Sequence, residues 1–157
     1  MTGTLEYRKG DLVKAFLSGE VQVFAHGANC FCTMGSGIAK QVKAELPELY
    51  NEDQKTIKGE VEKLGNVSFF LYENSVAFNL YTQYNYGYNG KRYANYEAIY
   101  SSLELMTNCL IHLNGKFSTV GLPKIACGLA GANWNIVEAI IKETLIASGF
   151  NVIIFEL

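Results

Sequence analysis

The sequence predicts an α/β domain in which helices cover both faces of a mixed sheet, and three observations carry that expectation. Short apolar runs rich in Val, Ile and Phe alternate along the chain with amphipathic helical patterns. Two glycine loops, at residues 34–38 and 124–133, each lie between a strand-like run and a helix. Residues 66–72 and 76–81 read as neighbouring strands joined by Glu73-Asn74-Ser75, a hairpin that adds antiparallel character to the sheet.

Taken in order, residues 5–8 form a short strand, and Gly10-Asp11-Leu12 turns into a helix patterned on Leu12, Val13, Phe16 and Leu17 that Gly19 ends. Residues 21–25 are a buried strand running into the loop His26-Gly27-Ala28-Asn29. The helix opened by Met34-Gly35-Ser36-Gly37-Ile38 reaches Leu46, and Pro47 fits either a break or the first residue of a further helix through Gln54. Residues 51–65 are polar and charged, which reads as a solvated excursion. Beyond the hairpin, residues 81–93 hold five tyrosines among glycines and polar residues, a loop leading into a long helix with Ile99, Leu103, Met106 and Leu110 on one face. Asn114-Gly115 caps that helix, 118–123 is a buried strand, 134–147 a last helix and 150–157 the final strand.

Composition narrows the functional classes. At 157 residues the chain is one domain, 1–157, large enough to bury a core without staples. No apolar run approaches the roughly 18 residues of a membrane span, and the first residues lack the pattern of a signal peptide. The expected location is therefore the cytoplasm. Cys30, Cys32, Cys109 and Cys127 make no regular framework and read as free thiols. A formal net charge of −2 with scattered Lys and Arg argues against a long duplex as the main ligand, while a small anion held by backbone groups fits.

The two glycine loops supply such groups. A strand, a glycine turn and a helix aim unpaired N–H groups and the positive helix end at an anion, most often a phosphate. In open α/β sheets the ligand lies at the carboxyl ends of the strands, where both loops fall, so the pair could embrace a diphosphate. The familiar phosphate fingerprints do not match. Gly35-Ser36-Gly37-Ile38-Ala39-Lys40 lacks the third glycine of a dinucleotide fold, and neither loop has the Gly-Lys-Ser/Thr of a P-loop. Gly35-Ser36-Gly37 is also too short for a hydrolase elbow.

The combination of Gly10-Asp11-Leu12, His26-Gly27-Ala28-Asn29, residues 34–39 and residues 122–134 resembles the macrodomain family of ADP-ribose-binding modules over nearly the whole chain. Asp53, Thr56, Gly59, Lys63-Leu64-Gly65 and residues 79–84 look like the branch containing the yeast ADP-ribose 1''-phosphate phosphatase and its bacterial and phage relatives. The resemblance implies a three-layer α/β/α sandwich with a mixed central sheet. It implies ADP-ribose or ADP-ribose 1''-phosphate as ligand, with ADP-ribosylated macromolecules as further partners, and the host cytoplasm as location if the chain is phage-encoded; no membrane, metal or cofactor is expected.

By the same resemblance, Asp11, beside Leu12, accepts from the adenine amine, and its alternative is a helix cap. Asn29 bonds the distal ribose diol, and its alternative is an Asx turn. Gly35, Ser36, Gly37 and Ile38 serve one phosphate, and the second loop, Gly128, Leu129, Ala130, Gly131 and Ala132, serves the other. Phe155 lies against adenine or in the core.

The neighbouring glycohydrolase branch of the family uses a lysine nucleophile and an aspartate, and the matching positions here hold Gln83 and Ala130, which can perform neither role. The catalytic candidates are then His26 for proton transfer, Cys127 as a nucleophile and Asn29 for positioning. A zinc cluster of His26 with Cys30, Cys32 and Cys127 is disfavoured by the Cys-x-Cys spacing. The leading reading is dephosphorylation of ADP-ribose 1''-phosphate. The alternatives are a binding-only ADP-ribose module, a de-ADP-ribosylase working without the lysine, and a single-strand RNA binder using the tyrosine segment.

Overall fold

A computed structural model describes residues 2–87 and 89–157. It contains six strands, β1 (Leu5–Lys9), β2 (Val23–Asn29), β3 (Val67–Leu71), β4 (Val76–Gln83), β5 (Thr119–Leu122) and β6 (Asn151–Glu156). Five helices accompany them, α1 (Leu12–Leu17), α2 (Gly37–Glu45), α3 (Pro47–Gln54), α4 (Tyr96–His112) and α5 (Trp134–Ile141). The strands form one sheet in the order β1-β6-β5-β2-β4-β3, parallel throughout except where β3 returns antiparallel along β4. This is the mixed sheet the sequence predicts.

Residue alternation along the central strands sorts side chains into two cores. Val23, Ala25, Phe78 and Leu80 pack against Ile99, Leu103 and Met106 of α4 and Val137 of α5. Phe24, Ala77 and Phe155 face the opposite way, against Phe16 of α1, Val42 of α2 and Leu49 of α3. Three layers result. Pro47 begins α3, where its missing N–H costs nothing. The last helix continues into a π-helical turn over Lys142–Ile146.

Three expectations are corrected. β2 does not stop at Ala25 but runs on to Asn29, because pairing with β4 continues through His26↔Asn79 and Gly27↔Leu80. The charged excursion 51–65 is not simply solvated: Asp53 is 1% exposed and Lys63, in a 3₁₀ turn over Val61–Lys63, is 8% exposed. Of the segment 81–93 read as a loop, Tyr81 to Gln83 belong instead to β4, because their pairing with β2 continues, and the chain leaves strand structure only beyond them; Tyr88 lies outside the described residues.

Candidate functional site

The carboxyl ends of β2, β4 and β5 open into a cleft of about 330 Å³. Gly27, Ala28 and Asn29 of β2 line it together with the turn 33–36 and the first residues of α2. Pro123 to Ala126 and Gly128 to Ala130 line it from the loop after β5, and Gln83, Tyr86 and Gly87 from the segment beyond β4. Both glycine loops therefore face one crevice.

Local geometry leaves donors on both sides. Ser36 caps α2 in an extended conformation without a side-chain bond to the helix, and Gly37 enters it at φ +57°, a conformation that favours glycine. The N–H groups of Gly37, Ile38 and Ala39 have no acceptor inside the helix, while Lys40 N–H donates to Ser36 O. In the second loop, bonds from Cys127 N to Lys124 O, Gly131 N to Gly128 O and Ala132 N to Ala126 O set the turn. The N–H groups of Gly128, Leu129 and Ala130 take no part in those bonds. Ala130 O accepts from Tyr93 N and Ala94 N, and Gly131 at φ +78° lies against Arg92, so the tyrosine segment is tied to this loop.

The first loop has a buried support. Asn29 Oδ1 accepts from Phe31 N at 2.8 Å and Asn29 Nδ2 donates to Thr33 O at 2.9 Å, an Asx turn that leaves the carboxamide one N–H and one lone pair. Cys30 O accepts from Gly59 N at 2.7 Å and from Lys63 Nζ at 2.9 Å, and Cys32 O from Gln54 Nε2 at 2.9 Å. The Lys63 ammonium lies 5.1 Å from the Tyr81 ring centroid, and Tyr81 OH donates to Asp53 Oδ1 at 2.8 Å. Burial holds the Asp53 carboxyl above the usual range, opposed by the Tyr81 hydrogen bond and the Lys63 charge. The phenol sits beside Ser68 Oγ at 2.9 Å, which in turn accepts from Asn79 Nδ2.

Several candidate residues fall outside the cleft. His26 is fully buried beside Phe24, because an alternating strand turns residues 24 and 26 to the same face. Asn79 Nδ2 donates to Leu49 O and Ser68 Oγ, which turns Asn79 Oδ1 toward His26 Nε2 at 2.6 Å. That acceptor requires the ring proton on Nε2 and leaves Nδ1 unpartnered. Burial pushes the His26 pKa down to about 4, with the Asn79 bond opposing it, so the ring is neutral at neutral pH. Such a group has no open path to a bound ligand.

Cys127 is half-buried and is not among the lining residues, and burial raises its thiol pKa more than Lys124 lowers it. The half-buried thiol matches the alternative sequence reading, a small apolar packing residue, better than an activated nucleophile. Gly131 and Ala132 shape the second loop rather than line the cleft. Asp11, Leu12 and Phe155 gather around the β1–α1 junction: Leu12 and Phe155 are buried in the core on that face. Asp11 Oδ1 caps α1 through Lys14 N at 3.1 Å and accepts from Gln41 Nε2 at 2.9 Å. The Lys14 N–H, then Gln41, holds the Asp11 carboxyl below the usual range. Gln41 links this corner to α2, whose first turn lines the cleft.

Gly35, Ser36, Gly37, Ile38, Gly128, Leu129, Ala130 and Asn29 do line it. Sequence reasoning missed Thr33 and Lys124, and had Tyr86 only as one member of the tyrosine segment. Among the described residues lining the cleft, Lys124 and Tyr86 are the only ones with ionisable side chains. Lys124 is turned toward Glu156 at 3.5 Å and the Trp134 ring.

A strand-end cleft walled by two backbone-donor loops and nearly free of charged side chains defines an α/β binding domain suited to a phosphate-bearing ligand. The chain belongs to the Macro domain family, whose model matches residues 25–141. It is 38% identical over 149 residues to a 17.5 kDa protein from the tk-vs intergenic region of Enterobacteria phage T4, covering 87% of each chain. It is 31% identical to ADP-ribose glycohydrolase OARD1 of Homo sapiens, covering 98% of this chain and 91% of that protein. Among solved structures, Thermosipho africanus DarTG in complex with ADP-ribose superimposes with a TM-score of 0.76 at 20% identity, over 98% of this chain and 42% of that one. The resemblance to the macrodomain family and the fold expected from it are borne out.

Proposed function

We propose that the protein binds ADP-ribose in the cleft and hydrolyses an ADP-ribose derivative, with ADP-ribose 1''-phosphate as the substrate the branch resemblance favours. The observation that carries the reading is the placement around one cleft of N–H groups from Gly37, Ile38 and Ala39 and from Gly128, Leu129 and Ala130 that have no acceptor among the described residues. Two such rows suit the two phosphates of a diphosphate without a lysine or arginine. The relatives support the same ligand and a hydrolytic class, since one is an ADP-ribose glycohydrolase and one structure holds ADP-ribose.

The chemistry rests on positioning. Asn29 keeps one donor and one acceptor for the distal ribose diol, and with the diphosphate held by the two loops the 1''-phosphoryl group is fixed for attack by water: the water oxygen bonds to phosphorus, the bond from phosphorus to the ribose O1'' breaks, and the water's proton passes to that oxygen, leaving ADP-ribose and inorganic phosphate. His26 belongs to the protein interior in this reading, and Cys127 to the packing of the second loop. With Gln83 and Ala130 where the glycohydrolase branch has lysine and aspartate, no covalent lysyl adduct forms. The shortage of ionisable groups at the cleft favours one second reading, a binding-only ADP-ribose module.

Calorimetry with ADP-ribose, run beside phosphate release from ADP-ribose 1''-phosphate and ADP-ribose release from modified protein, tests both. Binding with phosphate release is the expected result. Binding with no turnover of either substrate establishes the second reading, and release only from modified protein establishes a de-ADP-ribosylase that works without the lysine.

A further inference from the structure

We infer that Lys63 is a positioning residue for the first loop, holding it in its ligand-ready form from below; the consequence for affinity rests on the ADP-ribose reading above. Lys63 is not among the residues that line the cleft, yet its ammonium donates to Cys30 O, one residue beyond Asn29. Gly59 N–H shares that carbonyl, and Gln54 holds Cys32 O two residues on. Between these clamps the chain makes a turn in which Cys32 adopts φ +57°, a conformation that a non-glycine residue keeps only when its surroundings impose it. Lys63 Nζ also lies 3.6 Å from the Cys32 sulfur. The turn delivers Asn29 on one side and residues 33–36 on the other, all of which line the cleft.

A buried ammonium costs stability unless charge and hydrogen bonds offset it. Here the Tyr81 ring takes the cation and the Tyr81 hydroxyl carries the connection to the Asp53 carboxylate. Asp53 and Lys63 are therefore a charge-compensated pair bridged by Tyr81; Lys63 contacts the loop directly, whereas Asp53 Oδ2 reaches it only through Gln54 Nε2 at 3.4 Å, a share that Asp53→Asn alone measures. That asymmetry separates positioning from mere charge balance.

Lys63→Met removes the ammonium but strands the Asp53 carboxylate, whereas Asp53→Asn with Lys63→Met removes both charges. The single variant should melt lower and the double variant should recover most of that loss. In the double variant the amides of residues 30–37 should still exchange hydrogen faster than in the wild type, with α4 and the central strands unchanged. ADP-ribose affinity should stay about tenfold weaker, the worth of one charge-assisted hydrogen bond. A double variant with wild-type exchange in residues 30–37 and wild-type affinity overturns the inference and leaves Lys63 as charge balance for Asp53. Should the wild type bind no ADP-ribose, the functional reading falls, and the exchange comparison decides the role of Lys63 by itself.

Discussion

His26 shows how one residue can look reactive in a sequence and be structural in a fold. Its folded pKa of about 4 lies below the ordinary 6.5, so the native state binds fewer protons than the unfolded chain between those values. The sign follows: stability is fully present above about pH 6.5 and is lost as pH falls toward 4, by about 3 kcal/mol in total. Burial acts in the opposite sense on Asp53, whose raised pKa favours the protein at low pH. Comparing melting curves of wild type and His26→Gln from pH 7 to pH 4 isolates the histidine, and the variant should show the shallower decline. At Gly128 the backbone lies outside the left-handed region and an added Cβ would meet, among the described residues beyond its chain neighbours, no atom within 4 Å. Gly128→Val should keep the wild-type melting temperature yet bind ADP-ribose at least about tenfold more weakly, because its bulk enters the space the ligand needs. Gly37→Val is a less clean probe, since φ +57° alone would cost about 1–2 kcal/mol with a Cβ present.

Among the elements, α1 and α4 separate local from tertiary stabilisation. Asp11 caps a six-residue helix, and Asp11→Ala should lower stability by about 1 kcal/mol. Asp11→Ser restores a capping oxygen without the carboxylate. If Asp11 also receives the adenine amine, the serine variant regains stability but binds ADP-ribose more weakly than the wild type; equal affinity would leave the residue as a cap. Leu103 of α4 is wholly buried between helix and sheet, so Leu103→Ala should cost about 2–5 kcal/mol in denaturant unfolding. That loss is tertiary. The helix pattern of Ile99, Leu103, Met106 and Leu110 was legible because its period matches an α-helix, whereas the end of β2 was not. His26-Gly27-Ala28-Asn29 has small and polar residues typical of a loop, and only pairing with β4 extends the strand through them.

On the scale of the whole molecule, the cleft exists because four parallel pairings bring strand ends to one side of the sheet. Incubation with ADP-ribosylated protein, followed by intact-mass analysis after acid quench, should show no ADP-ribose adduct on the chain, as expected with Gln83 in place of the lysine. The fold class, the order of elements and the two donor loops were readable in the sequence because hydrophobic period, glycine placement and helix starts are local signals. The sequence also marked Asp53, Thr56, Gly59, Lys63 and Asn79 as a pattern, through family resemblance, without showing what the pattern does. Their role is tertiary: Asp53, Tyr81, Ser68, Asn79 and His26 form a hydrogen-bonded chain inside the protein, and Lys63 reaches from it to the first loop. Charge in a sequence reads as solvent exposure until a partner far along the chain offsets the cost of burial, and that partnership is decided by packing. For the same reason the sequence by itself marked the two loops whose backbone faces the cleft, while only the tertiary structure decided that the N–H groups of Gly131 and Ala132 are used within the second turn, that His26 and Cys127 stand apart from the cleft lining, and that Thr33 and Lys124 belong to it.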